Sequence, residues 1–232
     1  MLLVDKPKGM TSHDVVEVVR RQLGMRRIGH TGTLDPAARG LLIVLVGSAT
    51  RAQQAFQGHD KTYRAVLQLG TQTETGDVEG RPIRTALVPS ITRAAIEDVF
   101  RTLHGPLTQT PPAYSAVKVR GRPAYWWARR QQPVTLTARV VQILELALLD
   151  HTLETITFRV RCSAGTYVRT LGETIADRLG TVGHLSELTR HRIGSWDLTN
   201  ALALAWIQSA TAGDVVQALR PVPPQDLTVS MS

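Results

Sequence analysis

The sequence predicts an α+β fold, with a mixed or mainly antiparallel central sheet flanked by helices. Three observations carry this. The run GLLIVLVG at residues 40–47 has no polar position and reads as a short strand buried on both faces. KTYRAVLQLG and ETITFRVRCS alternate apolar with polar residues, as half-buried strands do. Helical and extended stretches also follow one another without the regular alternation of a parallel doubly wound sheet.

In chain order, TSHDVVEVVRRQLGM is the first helix. Thr11 with Asp14 three residues on is a capping box, Val15, Val18, Val19 and Leu23 form an apolar stripe, and Gly24 ends it. Tyr63, Ala65, Leu67 and Leu69 share one face of the first alternating strand, and Ile156, Phe158, Val160 and Cys162 one face of the second. ITRAAIEDVFRTLHG reads as a helix, as does GTYVRTLGETIADRLG, with Val168, Leu171, Ile175 and Leu179 on one side and Gly180 at its end. TARVVQILELALLDH reads as a long strand, although its apolar spacing also permits a helix. No internal repeat or low-complexity linker interrupts the chain. Residues 1–232 are therefore expected to be one domain, with the segment from about 199, helical and then proline-rich at RPVPPQD, packed on the same body.

Lys and Arg outnumber Asp and Glu by 27 to 19, giving a net charge of +8 and a pI near 10.4. Such a surface attracts polyanions, nucleic acid above all. The arginines come as scattered pairs, Arg20-Arg21, Arg26-Arg27 and Arg129-Arg130, which suits a folded binding face. The single cysteine, Cys162, excludes an internal disulfide, and the seven histidines show no metal-ligand spacing, so no metal is expected. MLLVDKPKGM reaches Asp5 and Lys6 too early for a signal peptide, and no apolar stretch nears a membrane span, so a cytoplasmic protein without membrane contact is expected. The nucleotide-phosphate, dinucleotide and serine-hydrolase motifs are absent from the sequence, which sets those classes aside.

Three stretches carry functional groups. In GHTGTLDPAARG, Pro36 steers Asp35 away from helical dihedrals, and Gly32 and Gly40 allow tight turns on either side. The carboxylate then sits on a loop anchored by the following strand, although Asp-Pro by itself is equally a turn starter. CSAGTYVRTLGE places Tyr167 and Arg169 at the start of a helix directly after a strand, where they reach a cleft or simply pack. In KTYRA, Tyr63 stands between Lys61 and Arg64, an arrangement that can stack a nucleobase while holding its phosphates, and also one that a packed strand tyrosine shows.

Read in order, VDKPKGMTSHDVV, GHTGTLDPAARGLL, KTYRAVLQLGTQTETGDVEG, TQTPPAYSAVKVRGRPAYWWAR and RVRCSAGTYVRTLGETIADRLG resemble the TruB-type tRNA pseudouridine synthases, over roughly residues 2–195. The resemblance implies a pseudouridine synthase fold, isomerisation of the tRNA T-loop uridine, no cofactor, and the T-arm as partner; a monomer without an obligatory protein partner is expected. It makes Asp35 similar to the family's catalytic aspartate and His30 to the residue that helps receive the extruded base. Tyr63 resembles the tyrosine that stacks on that base. Tyr167 and Arg169 resemble the pair of the GTYxR motif, the arginine pairing with the aspartate. Lys6 matches the lysine of the first motif, and Leu188 the apolar wall of the pocket. One ionised carboxylate suffices for such a reaction, as a nucleophile or as a base removing a sugar proton, and the sequence does not choose between them.

The chain departs from the family pattern at Glu74, Trp126 and the segment ELTR (187–190), and it ends near where a C-terminal RNA-binding PUA domain would begin. A non-catalytic RNA-binding or tRNA-folding protein on the same scaffold is the alternative. A glycoside hydrolase ranks last, because Asp35 has no acidic partner in its motif.

Overall fold

The structure is a computed structural model that describes residues 1–227; residues 228–232, the end of the expected tail, lie outside the described residues. The first elements are β1 (Leu2–Lys6), α1 (Ser12–Leu23), β2 (Ile28–His30), β3 (Arg39–Val46), α2 (Gln53–Gly58), β4 (Lys61–Leu69), β5 (Thr71–Thr73) and β6 (Pro82–Thr85). There follow α3 (Arg93–Leu103), β7 (Gly105–Gln109), β8 (Lys118–Val119), β9 (Arg122–Pro123), α4 (Ala124–Ala128), β10 (Arg139–His151) and β11 (Thr155–Cys162). The chain continues through α5 (Val168–Arg178), β12 (Gly183–Ile193), β13 (Trp196–Asp197), β14 (Leu202–Ala203), α6 (Leu204–Ser209), α7 (Ala212–Gln217) and α8 (Pro224–Leu227). They form two compact units, Met1–Tyr63 with the chain from Thr189, and Arg64–Leu188.

In the first unit, β3 pairs antiparallel with β1 and β2 and parallel with β12 at Thr189 and Arg190, while β1 pairs parallel with β14. This mixed sheet has a hydrophobic core on each face. Leu2, Val4, Leu42 and Val44 join Val15, Val18 and Val19 of α1 and Leu204, Ile207 and Val215 of α6 and α7. The intervening residues Leu3, Leu41, Ile43 and Leu45 join Phe56 of α2 and Ile193 of β12. A strand that alternates between two apolar layers has no polar face to show, which explains the unbroken run at 40–47. The capping box at α1 forms, with Thr11 and Asp14 each accepting from the other's backbone N–H, and Gly24 closes the helix at φ 61°. Gly40 is needed for a different reason. At φ 111°, a Cβ there would stand 2.8 Å from the Arg190 amide nitrogen and closer still to its carbonyl oxygen, so only glycine lets β3 and β12 approach this closely.

In the second unit, β4, β11, β10 and β7 are neighbours in that order, and β10 is antiparallel to both β11 and β7. The alternating positions Ala65, Leu67, Leu69, Ile156, Phe158, Val160 and Cys162 are all buried. α3 packs on β10 and α5, and Phe100 meets Phe158 with ring centroids 6.0 Å apart. The stretch whose spacing fitted strand and helix alike is β10. Register shifts between Ile143 and Glu145 and between Leu148 and Asp150 break its period of two, which is what blurred the pattern. β8 and β9 form a hairpin turned by Arg120 and Gly121 at φ 50° and 77°, as a tight two-residue turn requires. The architecture is thus α+β, with mixed sheet pairing and flanking helices.

Candidate active site

Asp35 stands on the loop between β2 and β3, and buried groups pin that loop on both flanks. The Ala38 N–H donates to Asp35 O at 3.0 Å, closing the Asp-Pro turn, and the Gly9 N–H donates to Pro36 O at 2.8 Å. The turn is closed through the backbone carbonyl of Asp35. Upstream, Ser12 Oγ, on a residue 2% exposed, accepts from the Leu34 N–H at 2.8 Å and donates to Leu34 O at 3.3 Å. Arg190 from β12, 1% exposed, donates to Gly32 O at 3.1 Å, Thr33 O at 3.3 Å and Leu41 O at 2.8 Å. A buried guanidinium is tolerable only when its donors are satisfied. Arg190 therefore fixes the loop as firmly as the loop fixes it. Neither Ser12 nor Arg190 was singled out from the sequence.

Lys6 and His30 lie on strands beside β3, with Lys6 opposite Gly40 and His30 opposite Val44. Lys6 is 0% exposed, and its Nζ donates to Pro7 O at 2.9 Å and Met10 O at 2.6 Å, so it braces the loop that in turn contacts Pro36. The His30 Nδ1 accepts from the Gly32 N–H at 3.3 Å, which puts the proton of the neutral ring on Nε2. Burial lowers the His30 pKa below 6.5, and the Arg190 and His13 charges lower it further. The stability consequence has a definite sign. Below pH 6.5 the unfolded chain takes up a proton that folded His30 refuses, so stability falls as pH drops from 6.5 toward the lowered folded value. Urea unfolding of wild type and His30→Gln at pH 7.5 and 5.5 checks this: the variant is expected to lose less stability across the interval, and an equal loss in both proteins contradicts it.

Tyr63 is 9% exposed on β4. Its neighbour Lys61 corrects one expectation. Lys61 is 8% exposed, and its Nζ donates to Gln57 O and His59 O, so it closes its own chain turn instead of offering its charge to a phosphate.

In the second unit, Tyr167 caps the N-terminus of α5. The Gln109 amide, on a residue 2% exposed, accepts from the Tyr167 N–H at 3.1 Å and donates to Tyr167 O at 3.3 Å, and the Arg139 guanidinium lies 5.0 Å from the ring centroid. Arg169 is 4% exposed and donates to Thr75 O at 2.5 Å and Tyr114 O at 2.9 Å, with its Nε 3.8 Å from the Asp77 carboxylate. Asp77 itself accepts from Thr75 Oγ1 at 2.5 Å and the Glu79 N–H at 3.0 Å. Arg169 thus ties the 75–77 turn to the segment at Tyr114, and Gln109 and Asp77 join the residues that sequence reasoning missed. Leu188 is half-buried on β12. Glu74, one of the departures from the family pattern, accepts from Arg81 Nε at 3.1 Å.

Also in this unit, the β8–β9 hairpin and α4 form an exposed basic and aromatic surface. Trp126 has the Arg130 guanidinium 3.7 Å and that of Arg122 5.6 Å from its ring centroid, and Arg129 lies 5.4 Å from the Tyr125 ring. Among the described residues no three His, Cys, Asp or Glu gather as metal ligands, and no helix is long and apolar enough to cross a membrane.

The fold and the family comparisons place the chain in the class of pseudouridylate synthases. Its backbone is similar to the Cbf5 chain in the crystal structure of a Cbf5-Nop10-Gar1 complex, with a TM-score of 0.67 and 29% identity over 88% of this chain and 52% of that one. It is also similar to a chain in the structure of an H/ACA RNP bound to a substrate RNA containing 2'-deoxyuridine, with a TM-score of 0.65 and 27% identity over 88% of this chain and 50% of that one. The chain therefore spans about half the length of each of these proteins. Residues 20–168 match the TruB family pseudouridylate synthase (N terminal domain). The tRNA pseudouridine synthase B of Geobacillus thermodenitrificans is 47% identical, over 94% of this chain and 75% of that protein. That of Opitutus terrae is 41% identical, over 96% of this chain and 92% of that protein. The chain belongs to the TruB family.

Proposed function

We propose that this chain is a tRNA pseudouridine synthase that isomerises the T-loop uridine, with Asp35 as its catalytic carboxylate. The observation that carries the proposal is the Asp35 loop, fixed through its backbone by two buried side chains, Ser12 and Arg190, in a member of the TruB family. Preorganisation of this kind is what a catalytic group requires, since small misplacements cost large factors in rate.

The target uridine is stacked inside the T-loop, and flipping it out costs on the order of a few kcal/mol. Stacking on Tyr63 offsets part of that cost, on the order of 1–3 kcal/mol for one base on one aromatic ring. We assign His30, Tyr167, Leu188 and Arg169 to substrate binding, while Lys6 braces its own loop. The reaction breaks the N1–C1′ bond, turns the uracil and joins C5 to C1′. N1 gains a proton and C5 gives up its hydrogen to solvent, so substrate and product are isomers and no electrons are transferred overall. The surface at Arg122, Trp126, Arg129 and Arg130, on a chain of net charge +8, suits RNA phosphates and unstacked bases. We assign both units to one catalytic domain, acting on tRNA in the cytoplasm as a monomer without an obligatory protein partner.

The test follows from the atom balance. A tRNA transcript tritiated at uridine C5 is expected to release tritium to water when incubated with the wild-type protein. Tight tRNA binding without any release supports the non-catalytic RNA-binding reading and removes the enzyme.

A further inference from the structure

We infer that the cleft at the C-terminal end of α1 is a second anion site, which takes a backbone phosphate of the RNA substrate away from the flipped base. The inference rests on the tRNA reading above. The cleft has a volume of about 450 Å³ and is lined by Glu17, Arg20, Arg21, Gly24, Met25 and Arg26. Three guanidiniums face one carboxylate there, so its charge is positive.

Arg20 is already engaged, donating to Glu17 at 2.6 Å and to Ile28 O at 2.8 Å, yet its Nε is buried with no hydrogen-bond partner. Arg21 and Arg26 are exposed, and their guanidiniums make no hydrogen bond or ion pair among the described residues. Arg20 and Arg21 both lie in the last turn of α1, where cations complement the helix dipole. The guanidiniums of Arg21 and Arg26 carry paired N–H donors of the kind that take a phosphate. Location decides which phosphate. The N-terminal end of α1 bears Ser12, which binds Leu34 beside the catalytic aspartate. The 12 residues of the helix put the cleft roughly 18 Å from that end at ~1.5 Å per residue, too far to touch the flipped base.

The double variant Arg21→Gln/Arg26→Gln tests the assignment, because neither guanidinium has a hydrogen bond or ion pair to lose among the described residues. The tRNA Kd, measured over a range of salt concentrations, is expected to weaken about tenfold, with the slope of log K against log salt less steep by roughly one for each phosphate no longer neutralised. Turnover at saturating tRNA stays at the wild-type value. Unchanged affinity and slope overturn the inference, and if inorganic phosphate then still raises the melting temperature of wild type but not of the variant, the cleft is a small-anion site. Wild type that binds tRNA without releasing tritium overturns the catalytic reading and leaves this one standing.

Discussion

Asp35→Asn is expected to lower the single-turnover rate of pseudouridine formation by at least about 10³-fold, or ~4 kcal/mol of barrier, while tRNA affinity stays within a few-fold of wild type. Asparagine keeps the shape of the side chain and loses its charge and its capacity to take a proton or attack carbon. The backbone bonds that hold the loop, through Asp35 O, Pro36 O, the Leu34 backbone and the carbonyls of Gly32 and Thr33, are all available in the variant. Asp35→Glu retains the charge on a longer arm and is expected to lose about 10²-fold, since misplacement by an ångström costs that much. Quench-flow with unmodified transcript measures both. An asparagine variant within tenfold of wild type contradicts the assigned role.

Arg190→Ala is expected to cost both stability and rate. It leaves the oxygens of Gly32, Thr33 and Leu41 without their donor in a place where the residue is 1% exposed. Unsatisfied buried groups cost about 1–3 kcal/mol each, so a total on the order of 3–5 kcal/mol follows, and a fall in Tm on the order of 10 °C. Measured well below the new Tm, kcat is expected to drop by about 10²-fold or more, because the loop that presents Asp35 has lost one of its two buried side-chain anchors. Arg190→Lys keeps the charge but cannot span three carbonyls, and should fall between the two. Calorimetry and rate together separate this from simple unfolding. A variant that melts and reacts as wild type does would show that Arg190 is a bystander.

The sequence made some of this legible and hid the rest for identifiable reasons. Thr11 and Asp14 announced α1 because a capping box is a local pattern with local bonding. The residues from Gly40 to Val46 announced a doubly buried strand, because both cores draw on it. Asp35 could be picked out through the Asp-Pro turn and the resemblance. Arg190, Gln109 and Ser12 could not, since their partners are backbone groups distant in sequence, and a backbone acceptor leaves no mark on residue type. β12 was missed for a related reason. Thr189 and Arg190 are consecutive and both buried, which breaks the alternation that identifies a strand. Lys61 misled because a lysine beside a tyrosine reads as a surface cation, whereas its Nζ turns back to its own chain.

The central claim is that Asp35 turns a T-loop uridine into pseudouridine. Carbodiimide treatment followed by reverse transcription of tRNA, incubated in parallel with wild type and Asp35→Asn, tests it most directly. One new stop in the T-loop with wild type and none with the variant is the expected result. No stop with wild type, or the same stop with both proteins, contradicts the claim.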